Sequence, residues 1–219
     1  MILSISARTI PKDFKVITTQ KYKIMYQLNE IFSEMKLRGM KVPEQCTRIQ
    51  IPNAREVFNQ YCTYVAAQQG HQFTWREDYE PFIDWLTDNH GKGIFAQGVC
   101  GVGKTMICNY VIPMILLNFQ RLIVSCFDAK TLSANPKEAL TSHIVGIDDL
   151  GTEGIFNDYG NKRIPFAELM DSAEKEGKLV IVTTNLDTDD IRRIYGERTV
   201  DRLRQCCRRI VVGGESMRG

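Results

Sequence analysis

Apolar positions change their spacing partway along the chain. Ile24, Leu28, Ile31 and Met35 recur at helical intervals, which predicts an amphipathic helix from Gln20 to about Arg38, ended by Gly39. The stretch KVPEQCTRIQIP that follows reads as a connector. Asn53 is placed to cap a second helix through about Gln69, stopped by Gly70. A third helix, around Asp78–Asn89, puts Phe82, Trp85 and Leu86 on one side, the pattern of a core face rather than a base-stacking platform.

From Gly93 the texture becomes short apolar runs alternating with helical stretches: GIFAQ, LIVSCF, HIVGID, KLVIVTT and RIVVG. Runs without polar alternation suit strands covered on both faces, and the segments between them are long enough for crossover helices. The pattern predicts an α/β core over 90–219, a parallel sheet between two helix layers, preceded by a helical extension over 1–89.

Bulk properties agree with a globular protein. The 219 residues are 43% hydrophobic and 25% charged, with a formal net charge of +2, too small to imply a nucleic-acid partner by itself. Arginines crowd toward the C-terminus, at 192, 193, 198, 202, 204, 208 and 209, either as a solvated helix face or as a phosphate-contacting patch. The seven cysteines contain no C-x-x-C pair and are odd in number, which argues against a zinc site or a disulfide framework and for a reducing compartment. MILSISARTIP has no basic region before its apolar run, and the longest apolar stretch, Met106 to Phe119, is too short to span a bilayer and is interrupted by Asn109, Pro113 and Asn118. The expectation is a soluble cytoplasmic protein with no membrane partner.

The chemistry is concentrated after the first strand. Gly98-Val99-Cys100-Gly101-Val102-Gly103-Lys104-Thr105 matches G-x-x-x-x-G-K-[ST] at every fixed position and leads into a helix at Met106. Such a loop turns successive amide groups toward phosphate oxygens, the helix N-terminus adds partial positive charge, Lys104 reaches the β/γ-phosphates and the Thr105 hydroxyl reaches Mg²⁺. Cys100 occupies a free position of the loop, and Pro113 should kink the helix behind it.

The run His143–Ile147 ends in Asp148-Asp149, which places two carboxylates at the sheet edge where open α/β folds bind ligands. Asp148 is the candidate Mg²⁺ carboxylate and Asp149 the candidate that orients the attacking water. The next strand ends in Thr-Thr-Asn185, either a contact to that water or the γ-phosphate, or simply the opening of a turn. Arg198 and Arg202, four apart on a short helix, are candidates for an arginine finger, in cis or in trans.

Taken in order, Gly98–Thr105, Ile147-Asp-Asp-Leu-Gly151 with Glu153, Val182-Thr-Thr-Asn-Leu186, Tyr195-Gly-Glu-Arg-Thr-Val-Asp-Arg-Leu203 and Gly214-Glu-Ser-Met-Arg218 resemble the AAA+ helicase loaders of the DnaC/DnaI type, and are similar to the IstB-type transposition ATPases. The resemblance covers about 90–219. It implies an ATP- and Mg²⁺-binding P-loop NTPase of the AAA+ class, a three-layer sandwich with a five-stranded sheet ordered 5-1-4-3-2 and no C-terminal lid. It also implies ATP-dependent self-association, slow hydrolysis with Asp149 where many relatives carry Glu, Asn185 as a sensor, and Arg202, or else Arg198, as the finger. Relatives that grip single-stranded DNA use a helical insertion between Thr105 and Asp148. Here that region is abbreviated, with room for one helix, one strand and a helical turn, which weighs against direct DNA contact.

The leading functional expectation is a loader of a replicative ring helicase, with residues 1–89 as the natural partner-binding region. A transposition or phage accessory ATPase and a nucleotide-gated interaction module with little turnover are the alternatives. A small-molecule kinase would want a lid and a substrate pocket after the phosphate loop.

Overall fold

The computed structural model describes residues 30–35, 37–40, 46–153 and 164–214. By internal contacts the chain divides into Met1–Glu44 and Gln45–Gly219. In the first unit, residues 30–35 and 37 are helical, within the helix expected from Gln20, whose earlier part lies outside the described residues.

The second unit begins with α1 (Ala54–Gln68), a 3₁₀ turn at Glu77–Tyr79, and α2 (Glu80–Thr87). Then come β1 (Gly93–Gln97), a π-helical segment (Met106–Val111) continued by α3 (Ile112–Gln120), β2 (Ser125–Asp128), α4 (Ala129–Ala134), α5 (Pro136–Thr141) and β3 (Ile144–Leu150). The chain closes with α6 (Pro165–Glu176), β4 (Leu179–Thr184), α7 (Thr188–Tyr195), α8 (Glu197–Cys206) and β5 (Cys207–Val211). All strand pairs are parallel, in the order β2-β3-β4-β1-β5, which is the implied 5-1-4-3-2 sheet.

Successive strand residues point to opposite faces, and both faces are buried. Ile94, Ala96 and Ile181 join one apolar cluster with α1, α2 and α3, while Phe95, Val180 and Val182 join a second with α6, α7 and α8. This is the expected three-layer sandwich.

The division by contacts falls after Glu44, whereas the expected boundary stands after Asn89. The reason is packing: Phe58, Tyr79, Phe82, Trp85 and Leu86 are fully buried in the cluster that covers β1, so α1 and α2 form part of one helix layer. The expected core faces of these helices are therefore present, but they face the sheet.

Three local features differ from expectation for identifiable reasons. Asn53 precedes α1 as expected, but it sits at φ 51° and its side chain makes no cap bond. The run LIVSCF enters the sheet only at Ser125, because the Leu122 amide turns back to the Leu116 carbonyl (3.2 Å) across Arg121 in the left-handed region, a Schellman-type end to α3. Pro113 falls at the start of α3 behind the π-helical turn, where the Ile112 amide bonds the Ile107 carbonyl. The wider turn accommodates a residue that cannot donate, in place of a simple kink.

Candidate functional site

The phosphate loop fills the gap between β1 and the π-helical segment. Gly101 and Gly103 have φ of 81° and 92°, the left-handed backbone that favours glycine and that curls the loop inward. A Cβ on Gly98 would run into the Val212 carbonyl oxygen, so the loop can leave β1 beside β5 only with glycine there. Lys104 is 5% exposed, and its ammonium donates to the carbonyls of Gly98 (2.7 Å) and Val99 (2.8 Å) and to Asn185 Oδ1 (2.9 Å). Burial lowers this lysine below its ordinary range, while nearby negative groups including Asp149 and Asp148 act against that shift.

The carboxylates lie where β3 ends. Asp148 Oδ1 accepts from Thr105 Oγ1 (3.0 Å) and from Thr183 Oγ1 (2.6 Å). The same Thr183 hydroxyl accepts from the Asp149 amide (3.0 Å), so one buried side chain of β4 fixes both acidic positions. The β3–β4 register shifts between Ile147 and Leu150, and Asp149 takes φ 51°, a left-handed conformation that Asp tolerates better than most residues. The irregularity turns Asp149 into the same cavity as Lys104 and Asn185.

That cavity, of about 380 Å³, runs from Gly101, Lys104, Thr105 and Met106 to His71–Thr74 and Tyr110. Its charged end fits phosphates. Phe73 and Tyr110 add aromatic surface to the cavity lining. The donor set also fits Mg²⁺, since Thr105 and Asp148 already meet, and this ion is commonly held by one or two carboxylates with phosphates and water. Among the described residues no group of three or more His, Cys, Asp or Glu side chains is arranged to hold a metal ion.

Lys104, Thr105, Asp148, Asp149 and Asn185 are thus brought together, whereas Arg202 is not available to a ligand. It is 7% exposed and its guanidinium is held by Asp171 (3.0 Å) and Glu174 (2.8 Å) of α6. Asp171 and Glu174 are the two acidic partners of Arg202. The Arg198 side chain is 73% exposed and 3.5 Å from Asp171. The other clustered arginines also have acidic or amide partners: Arg192 meets Asp189 and Glu197, Arg204 meets Asp201 (3.5 Å) and Arg209 donates to Gln97 (2.8 Å). The cluster therefore has the character of a charge-compensated helix surface.

Two supporting residues escaped the sequence reading. Tyr79, fully buried, donates from its hydroxyl to the Val102 carbonyl (3.2 Å) and so ties the 3₁₀ turn to the phosphate loop. Burial pushes that hydroxyl up to about 12, which keeps it a donor at neutral pH. Thr183 was visible only as part of a polar strand end. Thr183→Val should retain the fold yet leave Asp148 short of one hydroxyl and the Asp149 amide unpaired. We expect a loss of roughly 1–2 kcal/mol of stability, read as a lower melting temperature in thermal unfolding.

In sequence, the chain matches no protein-family model and no curated protein. In structure it is similar to the DnaC helicase loader, at 20% identity over 64% of this chain and 93% of that one, with a TM-score of 0.53. DnaI (17% identity, 76% and 86% covered, TM-score 0.46) and AMPPCP-bound DnaA from Aquifex aeolicus (16%, 65% and 48%, 0.44) are more distant. The chain shares its fold with the DnaC helicase loader. Among the described residues no helix is long and apolar enough to cross a membrane.

Proposed function

We propose that this chain is an ATPase that assembles with further copies of itself when ATP·Mg²⁺ is bound, and that it acts in DNA replication by placing a ring helicase on DNA. One observation carries the reading: Lys104, Thr105, Asp149 and Asn185 line a single cavity, and Asp148 is bonded to Thr105 beside it. Backbone amides of Gly101–Thr105 would receive the β- and γ-phosphates, and Lys104 would exchange its two carbonyl partners for phosphate oxygens. Thr105 and Asp148 would hold Mg²⁺, which would offset charge on the phosphates. Asp149, set by its backbone conformation, would orient the attacking water, and Asn185 would contact the γ-phosphate.

Of the two arginines, Arg198 is the one exposed enough to reach a neighbouring subunit's nucleotide. Helicase loading is supported by the likeness to the DnaC helicase loader, at the level of fold. The compensated arginine cluster favours a protein partner over direct contact with single-stranded DNA, although the region between Thr105 and Asp148 holds two short helices, α4 and α5, where a single helical turn was expected. Residues 1–89 would supply partner contacts from the parts not committed to the sheet, and the work would be done in the cytoplasm.

The test combines light scattering and phosphate release on the full chain with ATP·Mg²⁺, with and without single-stranded DNA, followed by co-purification with a hexameric replicative helicase. ATP-dependent assembly, slow turnover and helicase retention are expected. A monomer that binds ATP tightly, with no turnover and no helicase, would instead indicate a nucleotide-gated module, and retention of a transposase would indicate a transposition helper.

A further inference from the structure

Behind Asp149 the backbone makes a turn fastened at several points. The Leu150 carbonyl accepts from Thr184 Oγ1 (2.7 Å), and the Asp149 carbonyl accepts from the Thr152 amide (3.2 Å) and hydroxyl (2.9 Å). Gly151 has φ 100° and lies so close to Leu186 that a Cβ there would collide with its side chain. The Gly151 amide donates to Glu153 Oε2 (2.8 Å), and the other carboxylate oxygen of Glu153 accepts from the Tyr195 hydroxyl.

Tyr195 is the last residue of α7. It is 5% exposed and meets the Phe166 ring of α6 edge-on at 5.3 Å. Gly196 and then α8, which carries Arg198, follow directly. One carboxylate therefore links the turn that presents Asp149 to the corner from which α8 starts. The phosphate loop, Asp148 and Thr183 take no part in this link, so its job is not explained by nucleotide binding.

We propose that Glu153 and Tyr195 are a positioning pair for hydrolysis: by bonding the Gly151 amide and the Tyr195 hydroxyl at once, Glu153 holds Asp149 aimed into the cavity and keeps that aim in register with the α7–α8 corner. The inference rests on reading this site as an ATPase. Neither side chain is among those lining the cavity, and both act through Asp149. Burial and the adjacent carboxylate push the Tyr195 hydroxyl up, so it stays protonated and able to donate throughout the neutral range. Hydrogen bonds from a buried hydroxyl and an amide to one carboxylate are among the stronger ones available to orient a turn. A misaimed water-orienting group lowers the rate of the chemical step and leaves ground-state binding alone.

The experiment uses the full chain as Tyr195→Phe, Glu153→Ala and Glu153→Gln. Glutamine can still accept from the Gly151 amide through Oε1 and donate to the tyrosine oxygen through its amide nitrogen, so it should rescue. Expected are kcat losses of about tenfold in Tyr195→Phe and Glu153→Ala, KM and Kd for ATP within twofold of the parent, and a rate in Glu153→Gln within about threefold of the parent. A parental kcat in Tyr195→Phe would overturn the proposal. So would a loss of ATP affinity that matches the loss of rate, since that is what a merely structural role produces.

Amide hydrogen exchange over residues 149–153 supplies a readout that does not depend on turnover. It should quicken at least fivefold in Tyr195→Phe and Glu153→Ala and stay near parental in Glu153→Gln. If the parent protein binds ATP without hydrolysing it, the ATPase reading fails, and unchanged exchange in the variants would then sink the pair as well. If Tyr195→Phe does not fold, the contrast between Glu153→Ala and Glu153→Gln decides the question.

Discussion

Lys104→Ala is expected to weaken ATP binding by about 10²–10³-fold, measured by titration calorimetry in the presence of Mg²⁺, while leaving the melting temperature of the nucleotide-free protein nearly unchanged. The size follows from what the ammonium would do: one or two charge-assisted bonds to phosphate in a partly desolvated cavity, each worth roughly 1.5–3 kcal/mol, of which ~3–4 kcal/mol converts to that factor. The small effect on stability follows from its nucleotide-free partners. The Gly98 and Val99 carbonyls and Asn185 Oδ1 lie beside an open cavity, where water can replace the lysine. Burial lowers the lysine, so the folded protein bears a cost for holding it charged, and alanine removes that cost along with the bonds. An ATP affinity within fivefold of the parent would mean that phosphates are not held at this loop, and the functional proposal would go with it.

How much of this site could be read from the chain depends on how local its determinants are. The phosphate loop is a contiguous run whose glycines fix its shape, and Gly101 and Gly103 take positive φ in it. Asp148 and Asp149 were legible because an apolar strand ending in two acids has few other uses after such a loop. The left-handed conformation of Asp149 was not legible, since it arises from a register shift against β4 that no local pattern encodes. Thr183, Tyr79, Glu153 and Tyr195 make bonds across 34, 23 and 42 positions of sequence, so their partners come from the fold, although Thr183, Glu153 and Tyr195 already stand within the motifs of the sequence.

The same distinction explains the helices. Phe82, Trp85 and Leu86 were correctly expected on one buried side, but periodicity says that a face is covered and not what covers it. Here the cover is the sheet, which moves α1 and α2 into the compact unit with the strands. The end of α3 shows the reverse case. Leu122 to Val124 carry strand-like side chains, yet the left-handed Arg121 and the bond from the Leu122 amide to Leu116 commit the backbone to ending a helix.

The two arginines of α8 should separate cleanly. Arg202→Ala removes the guanidinium that pairs with two carboxylates whose side chains are each 34% exposed, leaving Asp171 with the 3.5 Å contact to Arg198 and Glu174 without this partner. Removing one member of a largely buried ionic group costs about 2–4 kcal/mol, so thermal unfolding should begin roughly 5–12 °C earlier. Any loss of turnover in that variant should track its loss of folded protein. Arg198 has a 73% exposed side chain and a 3.5 Å pairing to Asp171, so Arg198→Ala should shift stability by no more than ~0.5 kcal/mol. If Arg198 serves a neighbouring subunit's nucleotide, turnover should nevertheless drop by at least ~10²-fold, because such a residue acts on charge that develops only in the transition state. A mixing experiment separates cis from trans action. Lys104→Ala protein retains Arg198 but cannot hold ATP, and Arg198→Ala protein holds ATP but lacks the arginine. Together they should regain turnover that neither has alone. Recovery would place the arginine across a subunit interface, two inactive proteins that stay inactive when mixed would exclude action in trans, and an Arg198→Ala variant at full rate would remove the residue from the mechanism.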